Sequence, residues 1–457
     1  MSDICMHNET TIAAVATPPG TSAIAVLRVS GPLSRETAKS VFGGKELVPR
    51  KAVHGVYRCV SGKIADDCMC IFFEGPKSYT GEDMLEIYCH GNPFIVRRVM
   101  EDLMRRGCVV AGPGEFTKRA FLNGKLDLTQ AEAVMSVISA GSERAFDASV
   151  RLLSGELGRK IQGWESGVIN LLAEVELQID FTEDEVPAAD AEGIRKEILR
   201  LADELEECAG GVRYASAVYD GINVVIVGAP NAGKSSLFNA LVGAERAIVN
   251  EEAGTTRDFI RERMVLGDFC INLFDTAGIR MEGVSKVERE GIERTYGCLR
   301  KADFVLYVVD GSSALPCSAD GYLGEIEPGK TLLVYNKEDL PGFNVSEFLN
   351  RRFENRISVS LRRKDSAGVL RDVLLRVLKE KDVVPKDDVL IVSLRDAELM
   401  REAREVLVRV YEDIGSVPWE FVSSNLRQVM VILSEILGKF DNEKVLDRVF
   451  SNFCIGK

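Results

Sequence analysis

The sequence predicts a multidomain protein of mixed α/β and α+β class. An N-terminal α+β domain comes first, then a helical domain assembled from two distant stretches, with a doubly wound α/β domain inserted between them. Three observations predict this. Up to about residue 120, short β-rich runs alternate with turn signals. Helical periodicity takes over near Leu128, stops near Tyr219 and resumes from about Leu394 to Phe450. Between these stretches, Gly221 to about Lys379 alternates β-branched strands with helices, the pattern of a parallel sheet covered on both faces. The expected boundaries are 1–120, 121–219, 220–380 and 381–457. A chain of 457 residues has room for this, at about 100 to 200 residues per domain.

In chain order, Thr11-Ile-Ala-Ala-Val and Ala23-Ile-Ala-Val-Leu-Arg-Val read as strands, separated by the turn signal Pro18-Pro-Gly and followed by Gly31-Pro. Phe94 to Arg106 carries apolar residues at helical spacing. Ala131-Glu-Ala-Val-Met-Ser-Val-Ile and Gly167-Val-Ile-Asn-Leu-Leu-Ala-Glu-Val-Glu-Leu do the same in the helical stretch. In the inserted domain, Ile222-Asn-Val-Val-Ile-Val, Ile271-Asn-Leu-Phe, Phe304-Val-Leu-Tyr-Val-Val and Thr331-Leu-Leu-Val-Tyr are too apolar to leave one face in water. They are the expected strands of a buried parallel sheet.

Composition narrows the function classes. The chain is 46% hydrophobic, and its 40 Gly and 14 Pro show no period, which excludes fibrous and wholly disordered proteins. Lys and Arg total 57 against 70 Asp and Glu, a net charge of -13, so the overall field opposes non-specific binding to nucleic acid. No run of about 18 uncharged apolar residues occurs, and Met1 to Thr10 lacks the marks of a signal peptide; the expected location is the cytoplasm. The eleven cysteines include no C-x-x-C pair, and His7, His54 and His90 are the only histidines. Reduced thiols are therefore expected, not a zinc or disulfide framework.

The chemistry concentrates after the first strand of the inserted domain. Gly228-Ala-Pro-Asn231-Ala232-Gly233-Lys234-Ser235 matches G-x-x-x-x-G-K-[ST], followed by Ser236 and a helical run. Such a loop wraps backbone N–H groups around phosphates, places Lys234 on the β- and γ-phosphates, and offers the Ser235 hydroxyl to Mg²⁺. Asp275-Thr276-Ala277-Gly278 and Asn336-Lys337-Glu-Asp339 each close a strand, where doubly wound folds bind ligands. Asp275 is placed to reach Mg²⁺, and the Gly278 N–H the γ-phosphate. Asp339 can accept from guanine N1–H and its exocyclic amine, a donor pair adenine lacks, so the base is guanine. Together these are the GTPase motif set, and they make the inserted domain a Ras-like P-loop G domain. Gly254-Thr255-Thr256-Arg-Asp258 supplies a switch loop with Thr256 as the second hydroxyl for Mg²⁺. The residue after Gly278 is Ile279, not a water-orienting Gln, so another group must position the water. Arg257, Arg280 and Arg289 lie nearby in sequence, and Asn231 offers an amide oxygen for a monovalent cation.

With these motifs, Pro113-Gly-Glu-Phe-Thr-Lys-Arg-Ala-Phe-Leu-Asn-Gly-Lys-Leu-Asp-Leu128 and the terminal Cys454-Ile-Gly-Lys457 make the chain resemble the bacterial MnmE (TrmE) family of tRNA-modification GTPases nearly end to end. Thr11 to Gly20 and Ser78-Tyr-Thr-Gly-Glu-Asp83 strengthen the resemblance. That family belongs among the TrmE-Era-EngA-YihA-Septin-like GTPases.

The resemblance implies a homodimer acting with an FAD-containing MnmG-type partner. Together they install an aminomethyl or carboxymethylaminomethyl group on carbon 5 of the wobble uridine of certain tRNAs. It also implies a 5-formyl-tetrahydrofolate-type carrier held by Arg28, Glu86, Lys125 and Lys457 in the N-terminal domain. K⁺ would be held by Asn231, Asn250, Glu252 and Thr255. The GTP-binding set would extend through Glu251, Ala253 and Gly254. Glu288 would position the water, with Glu290 and Glu293 as rivals, and Cys454 would take part in the modification. Ser358-Val359-Ser360 stands at the fifth GTPase motif.

Two other readings remain at this point. One is an RNA or ribosome-assembly switch without chemistry on a base, which the charge of -13 and the absence of a basic appendage oppose. The other is a folate-dependent one-carbon transferase acting on a small molecule, which would form product without tRNA.

Overall fold

The structure is a computed structural model that describes residues 10–43, 47–180, 191–243, 261–275, 297–313, 323–363, 365–386, 388–439, 446, 449–451, 453 and 456. The chain divides into two compact units. The first contains Met1–Ile138, Leu152–Leu172 and Arg427–Lys457; the second contains Ser139–Arg151 and Ala173–Leu426.

In the first unit the strands β1 (Ile12–Val15), β2 (Ser22–Ser30), β3 (Ala52–Arg58), β4 (Ile64–Phe73), β5 (Met84–Gly91) and β6 (Val109–Val110) form one sheet in the order β3-β4-β5-β2-β1-β6. The β1–β6 pair is parallel and the other pairs are antiparallel. Burial on β4 alternates, with Cys68, Cys70 and Phe72 inward, as the two-residue pleat requires. Helices α1 (Ser34–Val41) and α2 (Pro93–Arg105) cover that face, with Val41, Val99 and Leu103 fully buried. The sequence places the start of α2 at Phe94. The structure starts it one residue earlier because Asn92 caps it, its side chain accepting from Phe94 N at 2.9 Å with Pro93 in the first turn.

Helices α3 (Glu115–Leu122) and α4 (Leu128–Ser139) follow. The C-terminal segment returns to them, since Leu446, Phe450 and Phe453 share an apolar cluster with Leu128 and Ala131. Gly114, at φ +62°, meets this segment so closely that a Cβ would lie 2.9 Å from Phe453.

Helices α5 (Glu143–Leu153) and α6 (Glu156–Asp180) contribute residues to both units, and α7 (Ala191–Ala209) lies in the second. The second unit is built around β7 (Ile222–Gly228), with α8 (Lys234–Val242), β8 (Arg261–Leu266), β9 (Phe269–Asp275), β10 (Phe304–Asp310), β11 (Thr331–Asn336), α9 (Glu347–Arg352), β12 (Arg356–Ser358) and α10 (Ser366–Glu380). The sheet order is β12-β11-β10-β7-β9-β8, parallel except for β8. On β7, Val224 and Ile226 enter one apolar core while Val225 and Val227 enter the other, so helices on both faces dry the strand.

Strand β8 carries too many charges, Arg-Glu-Arg in its first half, to be legible as a strand. It forms because Gly267, at φ +59°, and Asp268 turn it back onto β9 as a hairpin. Helices α11 (Leu394–Asp413) and α12 (Trp419–Ile436) complete the helical stretches. Helix α7 packs along α11, which Ser393 caps by accepting from Asp396 N at 3.1 Å. The architecture is thus an N-terminal α+β sheet domain, discontinuous helices and an inserted doubly wound P-loop domain. In that insert the strand order reverses between β7 and β10, and the crevice beyond their carboxyl ends is where such sheets bind ligands.

Candidate active site

A cleft of about 540 Å³ opens at this crevice. Pro230, Asn231, Gly233, Lys234, Ser235 and Ser236 form one wall, and Asn336, Lys337, Asp339, Leu340, Leu361 and Arg362 the other. The loop between β7 and α8 takes a shape that only small residues allow. Gly228, at φ +148°, lies so near β10 that a Cβ would stand 2.1 Å from the Val308 carbonyl oxygen. Asn231 at φ +63° and Gly233 at φ +105° turn the chain into α8, the kind of helix entry at which backbone N–H groups can gather an anion. Lys234 is nearly buried and donates from Nζ to the carbonyls of Gly228 and Ala229, both at 2.9 Å.

One hydrogen bond ties the walls together, and a second braces the far wall from within. The Asn336 side chain donates to the Ala232 carbonyl at 2.9 Å and accepts from Leu361 N at 3.4 Å. A Cβ on Gly233 would stand 2.1 Å from the Asn336 side-chain nitrogen, so these loops meet without spare room. Asp339 accepts from the Ser360 hydroxyl at 2.6 Å, and Arg362 stands 3.9 Å from its other oxygen. The Ser360 hydroxyl, ahead of any other cause, holds the Asp339 carboxyl below its ordinary range. It remains a double acceptor, as the guanine edge requires. Asp275 ends β9 opposite Ile226 of β7, at the level of the phosphate loop.

In the first unit, Arg28 on β2 and Glu86 on β5 are cross-strand neighbours, with Nε 2.9 Å from Oε1. The other Glu86 oxygen accepts from the Tyr88 hydroxyl at 2.5 Å, and the Arg28 guanidinium lies 5.8 Å from the centre of the Tyr79 ring. Burial, then the bond to Glu86, pushes the Tyr88 phenol up to about 12. Lys125 donates to the Pro76 carbonyl at 3.0 Å, on the loop that also carries Tyr79. Gly456 touches the end of β1; a Cβ there would lie 2.3 Å from the Val15 carbonyl oxygen.

Residues 11–125 match the family described as GTP-binding protein TrmE N-terminus, and residues 128–454 match the MnmE helical domain. Over 456 residues, 98% of this chain and 99% of the other, the chain is 44% identical to the tRNA modification GTPase MnmE of Opitutus terrae. The chain belongs to the MnmE family. The tRNA modification GTPases MnmE of Thermotoga maritima and Aquifex aeolicus are each 39% identical to it, both across 98% of this chain, and cover 100% and 99% of their own lengths.

Within this MnmE-family chain, the sequence-derived phosphate and base loops come together on one cleft, and Arg28 and Glu86 come together as a pair. The fifth motif requires a correction. Ser358 ends β12, and Val359 is buried in the apolar core with its N–H donating to the Tyr335 carbonyl, so neither lines the cleft. After this motif, Leu361 and Arg362 contribute to the wall, and the Ser360 hydroxyl donates to Asp339. Asn250, Glu251, Glu252, Ala253, Gly254, Thr255, Thr256, Thr276, Ala277, Gly278, Glu288, Cys454 and Lys457 lie outside the described residues, as does the side chain of Asp275.

Sequence reasoning also missed Tyr79 and Tyr88, which flank the Arg28–Glu86 pair, and Asp310, whose Oδ2 accepts from Lys337 Nζ at 2.5 Å. The sequence signal for Asp310 is only that it follows the apolar run Phe304-Val-Leu-Tyr-Val-Val; its register opposite Asn336 emerges in the folded sheet.

Proposed function

We propose that this chain hydrolyses GTP to GDP and phosphate, and that the cycle serves modification of carbon 5 of the wobble uridine in tRNA. The observation that carries the reading is the convergence of a phosphate cradle and a guanine-type acceptor on one cleft, joined through Asn336. Full-length identity to proteins named tRNA modification GTPase supports the tRNA role.

In this reading the phosphate oxygens replace the Gly228 and Ala229 carbonyls as acceptors for Lys234, while the amides entering α8 take the β-phosphate. Ser235 lines the cleft and would hold Mg²⁺ together with Thr256; their hard oxygen donors fit it. Bound there, Mg²⁺ neutralises charge on the β- and γ-phosphate oxygens. Asn231, with carbonyl oxygens of Asn250, Glu252 and Thr255, would hold K⁺ beside the phosphates. Glu288 would orient the attacking water, completing in-line displacement with GDP as leaving group.

The Arg28–Glu86 pair beside Tyr79 supports a reduced-folate site, completed by Lys125 and Lys457, where Arg and Lys suit carboxylates and Glu suits a pterin's N–H edge. Cys454 is assigned to the modification, and an FAD-bearing MnmG-type protein and a second copy of this chain are the proposed partners. The proposed domains remain 1–120, 121–219, 220–380 and 381–457, and the proposed location is the cytoplasm.

The test is mass spectrometry of wobble-uridine nucleosides from cells lacking this protein, with wild-type or Lys234→Ala copies returned. Loss of the 5-aminomethyl-type nucleosides, restored by the wild type alone, is expected. An unchanged profile would refute the tRNA-modification reading and leave an assembly switch. Nucleotide choice is tested separately: Asp339→Asn should shift the preference from GTP to XTP, because the amide offers xanthine's C2 oxygen the donor it needs.

A further inference from the structure

Lys337 sits between Asn336 and Asp339 in the loop that walls the cleft, yet its ammonium is held by Asp310. Its backbone is left-handed, φ +66°, a conformation that an L-residue adopts at a cost unless its surroundings hold it there. The side chain lines the cleft, while Nζ donates to Asp310 Oδ2 at 2.5 Å. Asp310 closes β10, the neighbour of β11, at the register position of Asn336. Its own geometry is fixed in turn, since Oδ1 accepts from the Ser312 N–H at 3.0 Å and from the Ser312 hydroxyl at 2.7 Å. The next residue, Gly311, donates its N–H to the Asn336 carbonyl at 3.0 Å, and a Cβ there would strike the Phe343 ring at 2.4 Å. The β10 end therefore grips the base loop twice, once through backbone and once through charge.

We propose that Asp310 is a positioning residue for nucleotide recognition: by anchoring the Lys337 ammonium, it stretches the lysine's apolar stem along the cleft as a preset floor for the base. This rests on the reading that guanine binds against Asp339. A free lysine stem samples many rotamers, and freezing it on binding costs affinity. With Asp310 in place, that ordering is completed before the nucleotide arrives. The ammonium is also neutralised, so the cleft's net charge at the base end is not set by Lys337.

Burial would raise the Asp310 carboxyl, but the Lys337 ammonium and the Ser312 donors outweigh it and hold it below the ordinary range. The anchor is therefore ionised throughout the neutral range.

The experiment is calorimetric titration of the full chain with GDP and GTP. Asp310→Asn should weaken both by the same factor, about 3- to 10-fold, because one rotamer-rich side chain loses its preset position while the phosphate loop is untouched. Asp310→Glu should recover most of the loss. Lys337→Met should weaken GDP at least as much, and adding Asp310→Asn to Lys337→Met should change the affinity by less than about twofold, the non-additivity of two residues acting as one. Wild-type affinity in Asp310→Asn, or full additivity in the double variant, overturns the proposal. Should Asp310→Asn fail to fold, wild-type GDP affinity in Lys337→Met overturns it equally. A wild-type chain that does not bind GDP refutes the underlying reading; a wild type that binds, with Asp310→Asn unchanged, refutes this inference alone.

Discussion

Replacing Gly233 by Ala tests the coupling between phosphate loop and base loop through Asn336. At φ +105°, an L-residue pays roughly 1–2 kcal/mol for its backbone alone. The new methyl would also stand 2.1 Å from the Asn336 amide nitrogen, a distance that no packing tolerates. The least costly relief is for Asn336 to swing away, forfeiting its 2.9 Å bond to the Ala232 carbonyl, worth about 1 kcal/mol. In the empty protein the loops can absorb the methyl by separating. Nucleotide binding demands that they return, so the cost appears in affinity: about 2–3 kcal/mol, or about 30- to 150-fold weaker GDP binding.

Calorimetric titration measures this loss, with Gly62→Ala as a control. Gly62 also has positive φ, +76°, but a Cβ there meets nothing within 4 Å, so its GDP affinity should match the wild type. A Gly233→Ala chain within threefold of wild type would refute the coupling, because it would show that the Asn336 contact contributes nothing to the bound geometry.

Other perturbations have equally definite outcomes. At equal ionic strength, K⁺ should accelerate GTP hydrolysis over Na⁺, and Asn231→Ala should erase the difference; equal rates in the two salts for the wild type would remove the cation role. Burial pushes the Cys68 and Cys70 thiols up to about 12 and those of Cys89 and Cys108 to about 11, from an ordinary 9.0. Raised folded-state values stabilise the protonated form, so this stability is full below about pH 9 and is lost as pH rises toward 11 to 12. Alkylation at pH 8 followed by mass mapping should leave all four unmodified until denaturant is added; labelling of any of them in the native chain would contradict the buried assignment. Gly456→Ala would place a Cβ 2.3 Å from the Val15 carbonyl oxygen at φ +97°, so the terminal residues should be cleaved by carboxypeptidase at least several-fold faster than in the wild type.

Much of the fold was legible because the four central strands of the inserted sheet, β7, β9, β10 and β11, are apolar on both faces and therefore stand out from their neighbours. Strand β8 was not legible, since its Arg-Glu-Arg start is tolerable only at a sheet edge, and edge position is a property of the assembled sheet. The phosphate loop was legible residue by residue because its chemistry is local: glycines at Gly228 and Gly233, and a lysine and a hydroxyl at the helix start. Ser358 and Ser360 are both small hydroxyls, and only the bond from Ser360 to Asp339, across 21 residues, distinguishes them. Asp310 was missed for the same reason, because 27 residues separate it from Lys337.

These misses share a physical cause that bears on how the site works. Asn336 is nearly buried, and its single amide serves the phosphate loop through Ala232 and the segment after β12 through the Leu361 N–H. Asp339 is held by Ser360 and Lys337 by Asp310, so each residue proposed to meet the base is fixed from a different part of the chain. A side chain fixed from another strand needs little ordering when the ligand arrives, and the binding energy then goes to the phosphates. Loosening any one strand end should therefore weaken GDP and GTP together. Changes confined to the phosphate loop's cation or water partners should separate hydrolysis from binding.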